Sequence, residues 1–255
     1  LAPSTAAPEP ATVTCDEDHI TTVETAVTDE DAARYLALWR RASHVAVYGL
    51  PDLSVMAAAC EVDEHHSLMV ILQSNRFGGD WETLLRQLFS PDIRKLAHNV
   101  KDMIRALLER GIHADGFIFD TALAGYLLDA TAGGYDLPRL FMGYCGVELP
   151  APAHLEQNAF SPLGSNPAAE AALCSYASAI DALFGVLPPK LEALNMTALL
   201  HEMELPLCRV LAQMEHTGFR IDTAALSRFG QTLQQQIAAL EHAIYDMAGE
   251  EFNIN

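Results

Sequence analysis

The stretch HVAVYGLPD, residues 44–52, carries the strand pattern from which the fold can be inferred. Small, β-branched and aromatic apolar residues fill its centre, and Pro51 with Asp52 then forms a turn signal. Such a short apolar run is typical of a buried strand. Residues two apart in a strand lie on the same face of the sheet, so we expect Tyr48 and Leu50 to share one face.

Two further apolar strands follow at about 54–61 and 67–72 with short breaks between them, which predicts an antiparallel meander. Around the meander, apolar strand patterns at 20–26, 94–99 and 116–120 alternate with helical ones. Helix ends are indicated by a capping box at Thr28 and Asp31, a cap at Asp80 and a terminating Gly111. This order predicts an α/β domain, a mixed sheet covered by helices, ending near residue 195.

The two ends of the chain differ from this domain. Residues 1–19 are rich in Pro, Ala, Thr and acid, which predicts a flexible linker, and the chain opens on Leu1, so we expect more protein before it. Residues 196–255 carry two helical patterns with apolar residues at steps of three and four, joined through Gly218 and Asp222. The predicted organisation is a linker at 1–19, an α/β domain at 20–195 and a helical segment at 196–255.

Composition limits the function. Half of the 255 residues are hydrophobic, which indicates a globular protein. The chain has 34 acidic against 15 basic residues, a formal charge of −19, so we expect weak or no binding of DNA by this chain alone. No signal peptide pattern is visible, and apolar runs are broken by charge, so no membrane partner is expected.

Three segments resemble one family. ERGIHADGFIFDTALAGYLLDA (109–130), ALLHEMELPLCRVLAQMEHTGFRIDTAAL (198–226) and LEHAIYDMAGEEFNIN (240–255) resemble stretches of the bacterial DNA polymerase I family, the family A polymerases, in the right order and spacing. The resemblance implies a ribonuclease-H-like (DnaQ-like) 3′–5′ exonuclease fold with a mixed sheet and flanking helices. A helical segment leading into the polymerase thumb would follow it.

The resemblance also implies a setting. The parent would be a bacterial, cytoplasmic, nucleoid-associated DNA-directed DNA polymerase of replication and repair that uses Mg²⁺. Its 5′ nuclease would lie before this chain, and its palm and fingers after Asn255. We therefore expect a monomeric fragment with no cofactor of its own and no polymerase activity. Its partners would be those missing domains, and DNA only through the full-length polymerase.

The resemblance locates the exonuclease site. Active members of the family hold two metal ions with carboxylates from three motifs, and the metals stabilise the attacking and leaving oxygens. Aligned on those motifs, this chain has Tyr48 and Leu50 in place of the first acid pair. Met103 stands in place of the acid in the motif that begins at Asn99, and Ile180 in place of the acid four residues after Tyr176. We therefore expect an inactive, degenerate exonuclease with no catalytic or metal-binding residue.

Two alternatives stay open. Asp52, Asp102 and Asp181 lie close to the aligned positions and could form a displaced metal site, which would make the domain an active metal-dependent 3′–5′ exonuclease. For Asp102 and Asp181 the displacement is one residue, which turns a helical side chain by about 100°. The other alternative is an interaction module whose acidic surface docks on the rest of the polymerase.

Overall fold

The computed structural model describes residues 20–156, 159–161 and 164–254, so the predicted linker at 1–19 lies outside the described residues. The chain divides into two compact units, one ending at His216 and the other beginning at Thr217. The functional boundary expected between 195 and 196 stays a prediction.

The first unit is built on a six-stranded mixed sheet, and its strand order is β1-β4-β3-β2-β5-β6. The strands are β1 (Ile20–Ala26), β2 (Val45–Gly49), β3 (Val55–Asp63), β4 (His66–Gln73), β5 (Lys95–Ala97) and β6 (Phe117–Asp120). The antiparallel meander is confirmed, because β3 pairs antiparallel with both β2 and β4. The other pairs, β1 with β4, β2 with β5 and β5 with β6, are parallel.

Helices cover both faces of this sheet. They are α1 (Asp29–Trp39), α2 (Trp81–Leu88), α3 (Val100–Glu109), α4 (Thr121–Leu128), α5 (Leu137–Cys145) and α6 (Pro167–Ala193). A short strand pair, β7 (Phe160–Ser161) and β8 (Gly164–Ser165), precedes α6. The predicted capping box is confirmed, since the Asp31 N–H donates to Thr28 Oγ1 and Asp31 accepts from the Thr28 N–H. Asp80 caps α2 as predicted. An α/β domain of this kind is what the order of strand and helix patterns indicates.

The alternation of β2 places its side chains in two core layers. Val45 and Val47 belong to the layer that contains α1, α2 and α3. Ala46 and Leu50 belong to the opposite layer, which is dominated by α6, and Tyr48 packs against that layer. The two-residue period of the strand therefore brings Tyr48 and Leu50 to one face, as the sequence predicts.

Helix α6 is apolar for a structural reason. Its 27 residues are long and apolar enough to cross a membrane by length and composition alone, with a mean hydropathy of 1.4 over its most apolar window. Of that window 44% is buried inside the domain. The burial of Tyr176, Ile180 and Leu183 against the sheet accounts for the composition.

The chain after α6 is helical. A short α7 (Thr197–Leu199) and a π-helical turn at Leu200–Glu204 lead into α8 (Leu205–Thr217). Pro206 lies in the first turn of α8, and the chain stays helical up to it, since the Leu205 N–H donates to the Leu200 carbonyl oxygen of the π-helical turn. In the second unit, α9 (Thr223–Ala248) is capped by Asp222 as predicted and ends at Gly249 in the left-handed conformation.

Candidate exonuclease-like site

The end of β2 opens into a shallow pocket on the domain surface. The pocket has a volume of about 290 Å³, and Tyr48, Leu50 and Met103 line it together with His98 and Asn99. The structure thus brings three of the four positions expected to carry acids in an active family member into one pocket.

Tyr48 is fixed by an aromatic contact. Its ring centroid lies 4.8 Å from that of Tyr176, with the ring planes tilted by 49°. The Tyr176 hydroxyl in turn donates to the carbonyl oxygen of Pro150. Burial, and to a smaller extent Tyr176, raises the pKa of Tyr48 to about 12, so its phenol is neutral near pH 7.

Ile180 and Leu50 are both aliphatic, and of the two only Leu50 lines the pocket. Both are buried in the α6 layer of the core, Ile180 completely. Ile180 is one turn after Tyr176 on α6, so both side chains face the sheet. Ile180, which the resemblance aligns with the acid of the third motif, is thus a core residue whose side chain has no polar atom.

Met103 reaches the pocket from the other side. It is one turn into α3 and is buried in the layer that contains α1, α2 and α3. Asn99, the residue before α3, takes the left-handed conformation at φ 57° in the two-residue link between β5 and α3. Met103 therefore lines the pocket with an apolar side chain. It packs in the α1, α2 and α3 layer, whereas Ile180 packs in the α6 layer.

His98 is a pocket residue that sequence reasoning missed. Its Nδ1 lies 2.7 Å from Thr121 Oγ1, which orients the ring. Burial lowers the pKa of His98 to about 4, so the imidazole is uncharged near pH 7. Its position at the end of strand β5, next to Asn99, is the sequence signal that could have indicated it.

Two of the three alternative acids are engaged elsewhere. The Asp181 carboxylate lies 2.8 Å from His44 Nε2, at the beginning of β2 rather than at its pocket end. Asp52 accepts the backbone N–H of Ser54 at 3.1 Å and its hydroxyl at 2.8 Å, within the turn that follows β2. Neither acid lines the pocket beside Tyr48.

Asp102 is the one of these three acids that borders the pocket. Its side chain is 57% exposed, and Lys101 Nζ lies 3.6 Å from its Oδ1. The one-residue offset from Met103 thus puts Asp102 at the solvent rim, not on the floor.

The donor set of the pocket does not fit Mg²⁺. That ion prefers several hard oxygen ligands in near-octahedral geometry. The floor here offers a neutral phenol, a leucine and a methionine, and the rim offers one exposed carboxylate. Over the described residues, no three His, Cys, Asp or Glu side chains come together in a way that could hold a metal ion.

Asp120 is a second residue whose importance the sequence did not reveal. Its carboxylate is buried and accepts backbone N–H groups from the first residues of both α3 and α4. It therefore anchors the two helices that carry Met103 and Thr121.

The six-stranded mixed sheet with helices on both faces is a ribonuclease-H-like (DnaQ-like) exonuclease fold. The structure is similar to Escherichia coli RNase D, an exoribonuclease, with a TM-score of 0.60 at 16% identity over 75% of this chain and 51% of the other. It is also similar to the POL domain of Pol1 from M. smegmatis, with a TM-score of 0.70 at 24% identity, over 90% of this chain and 38% of that one. At these identities the likeness shows the fold.

The sequence comparisons name the relatives. The chain is 35% identical to DNA polymerase I of Geobacillus stearothermophilus over 163 residues, and 33% identical to that of Mycobacterium leprae over 180 residues. These matches cover 64% and 69% of this chain but only 19% and 20% of the relatives. No protein-family model matches the sequence. The chain is related to bacterial DNA polymerase I, and it spans about a fifth of the length of these curated relatives.

Proposed function

We propose that the chain is a catalytically inactive 3′–5′ exonuclease-like region of a DNA polymerase that acts in replication and repair in the bacterial cytoplasm at the nucleoid. The observation that carries the proposal is the pocket at the end of β2. Its floor is made of Tyr48, Leu50 and Met103, and Ile180 is buried in the core layer that also holds Leu50. A two-metal mechanism needs carboxylates at such positions to hold the ions.

The function that remains for the domain is architectural. The support for this is the attachment of α8, where Cys208 and Ala212 are buried in the same core layer as α3. Arg209 Nη2 donates to the carbonyl oxygen of Ala114 at 3.1 Å and pairs with Asp115 at 2.8 Å. The domain thus presents α8 in one defined position. In a longer polymerase it would hold the start of the polymerase domain.

A nuclease assay tests the loss of activity. We expect purified chain, incubated with 3′-labelled single-stranded DNA and Mg²⁺ or Mn²⁺, to release nucleotides no faster than the Asp102→Ala variant. Asp102 is replaced because it is the only one of the three alternative acids at the pocket. We expect equal rates because one carboxylate is too few to hold the two metal ions of the mechanism. An E. coli RNase D sample run in parallel on a single-stranded RNA reports that the metal and buffer support hydrolysis.

Metal-dependent release that the Asp102→Ala variant abolishes would overturn the inactive assignment and favour the displaced-acid exonuclease. The interaction-module alternative is tested by mixing the chain with the remaining polymerase segment supplied separately. Tight association that weakens with salt would favour that alternative.

The attachment of α8 has its own prediction. Glu215 accepts Lys101 Nζ at 2.6 Å and lies 3.6 Å from Arg105 Nε, so it ties α8 to α3. We expect Glu215→Gln to cost about 0.5–1 kcal/mol of local stability, because the pairs are partly exposed. Amide hydrogen exchange in α8 should then be faster by a few-fold at low salt.

Glu109→Gln is the matched control for this measurement. Glu109 pairs with Arg105 at 2.7 Å within α3 and does not reach α8. Its substitution should leave exchange in α8 unchanged. Equal acceleration by the two variants would mean that Glu215 does not tie α8 to the domain.

A further inference from the structure

The second unit carries a long helix with one exposed apolar stripe. Helix α9 runs from Thr223 to Ala248, and over the described residues none of its side chains is buried. Seven of its large apolar side chains, which we call the α9 stripe, are 36–82% exposed: Leu226, Phe229, Leu233, Ile237, Leu240, Ile244 and Met247. A contiguous exposed apolar surface of this kind marks an interaction site.

The α9 stripe is narrow. At about 100° per residue, its seven side chains fall within an arc of about 80° around the helix axis. The apolar face of a helix that covers a globular core is usually wider, whereas a narrow stripe is typical of a coiled-coil seam. The stripe therefore fits one partner helix rather than a broad protein surface.

The stripe follows a heptad repeat. Its d positions, each seven residues apart, are Leu226, Leu233, Leu240 and Met247. Ile237 and Ile244 occupy a positions, and Gly230 leaves the first a position without a side chain. In parallel coiled coils, Ile at a with Leu at d favours two strands. The seam thus has the pattern of a two-stranded parallel coiled coil.

The charges beside the stripe indicate which helix could be the partner. The e and g positions that flank the seam are Ser227, Phe229, Gln234, Gln236, Glu241, Ala243 and Ala248. Glu241 is the one charged residue among these seven, and in a parallel pair of identical helices it would face Gln236 of the other copy rather than a second carboxylate. Two identical α9 helices can therefore meet without like-charge contacts at the seam, although the whole chain has a formal charge of −19.

We propose that α9 is a self-association surface, through which two copies of the chain pair as parallel helices. The a and d side chains of the two copies would interdigitate along the stripe and remove it from water. The family resemblance implies a monomer, so the dimer is a departure from it that the α9 stripe predicts. The proposal is independent of the inactive Tyr48 pocket, because α9 belongs to the other unit.

Sedimentation equilibrium of the purified chain tests the pairing. We expect a dimer that forms in the micromolar range and is strengthened by salt, because screening reduces the repulsion between two acidic copies. Ile237→Asp should weaken dimerisation by roughly a hundredfold or more, since it buries an unpaired carboxylate at a central a position. Gln235→Asp is the matched control, because it introduces the same carboxylate on the opposite side of the helix, and its dimer should equal that of the unaltered chain.

A Leu226→Cys variant reports the direction of the pairing. With oxidised glutathione as the oxidant, we expect this variant to form an interchain disulfide, because parallel helices bring the two copies of position 226 together. Antiparallel helices centred on the stripe would hold them about 30 Å apart. The unaltered chain under the same oxidant is the control for its five native cysteines.

Three results would overturn the proposal at once: a monomeric mass up to millimolar concentration, equal dimerisation by Ile237→Asp and the unaltered chain, or no cross-link in Leu226→Cys. Dimerisation that weakens with salt would also overturn it, since charge pairing rather than the apolar stripe would then hold the copies together. The remaining polymerase segment, supplied separately, is the competing occupant. If it displaces the second copy from α9, the stripe belongs to that segment and the proposal is wrong.

Discussion

Replacing Asp120 with alanine is expected to destabilise the domain by about 3–5 kcal/mol, measured as the free energy of urea unfolding. Oδ1 accepts the N–H groups of Asn99, Ala122 and Leu123 at 3.1, 2.8 and 3.4 Å, and Oδ2 accepts that of Val100 at 2.7 Å. These donors belong to the starts of two helices, α3 and α4. Alanine leaves all of them without this acceptor, and the buried Val100 N–H is the one that water reaches least.

Asp120→Asn separates charge from hydrogen bonding. An asparagine oxygen in the Oδ1 position keeps three acceptor contacts, but its NH₂ group then faces the Val100 N–H across 2.7 Å. We expect a cost of about 2 kcal/mol, between that of alanine and zero.

Asp136→Ala is the control for an ordinary helix cap. Asp136 begins α5 and accepts one backbone N–H, from Arg139 at 3.1 Å, with its side chain mostly exposed. A cap of this kind contributes about 1 kcal/mol. If Asp120→Ala lowered the free energy of unfolding no more than Asp136→Ala does, the hydrogen bonds from two helices to Asp120 would stabilise the domain no more than one ordinary cap.

The second large effect concerns Lys95, a lysine that is fully buried in the strand next to β2. Its Nζ donates to the carbonyl oxygens of Ser90 at 2.8 Å and Ile93 at 2.6 Å, and it lies 5.9 and 5.8 Å from the ring centroids of Phe89 and Phe117. Burial lowers the pKa of Lys95 from 10.5 to about 7, against the opposing effect of Asp115 and Asp92. A neutral amine has two N–H donors, and both are satisfied here.

The sign of the pH dependence follows from this lowered pKa. Between about pH 7 and 10.5 the unfolded chain holds a proton on Lys95 that the folded chain has released. Stability therefore rises with pH in this window, by up to about 1.4 kcal/mol per pH unit. We expect the free energy of unfolding of the unaltered chain, minus that of Lys95→Met, to rise by about 3 kcal/mol from pH 7 to 9.5, measured by urea unfolding.

Lys101→Met tests whether this dependence is specific to the buried lysine. The hydrogen bond with Glu215 raises the pKa of Lys101, so its contribution is fully present below pH 10.5 and is lost only above. The profile of this variant should run parallel to that of the unaltered chain between pH 7 and 9.5. A Lys95→Met profile that is also parallel would show that Lys95 stays charged when folded.

Much of the fold could be predicted because it depends on local patterns. The meander follows from three apolar strands with short links, and the caps at Thr28, Asp80 and Asp222 follow from side chains that bond the nearby backbone. The common face of Tyr48 and Leu50 follows from the period of a strand. Each of these features involves residues close together in the chain.

Other features depend on partners distant in sequence. Lys95 looks like a surface residue in the sequence RKLAHN, and only the placement of β5 between β2 and β6 buries it. Asp181 is predicted to turn away from the site by its one-residue offset from Ile180, but its actual partner, His44, lies 137 residues away along the chain and is indicated by no local pattern. The pairing of β1 in parallel with β4 is likewise a long-range choice that no local pattern indicates.

The sequence by itself indicated the relation to bacterial DNA polymerase I and the mixed α/β fold, and it predicts that acids are missing at the positions aligned with the exonuclease motifs, because residue types and spacings are local properties. Only the tertiary structure decided which side chains surround those positions in three dimensions. It set Tyr48 against Tyr176, buried Ile180, and turned α3 and α4 onto one carboxylate at Asp120. The physical reason is that burial and hydrogen-bond pairing are properties of the packed chain, and they determine the pKa and the stability contribution of each group.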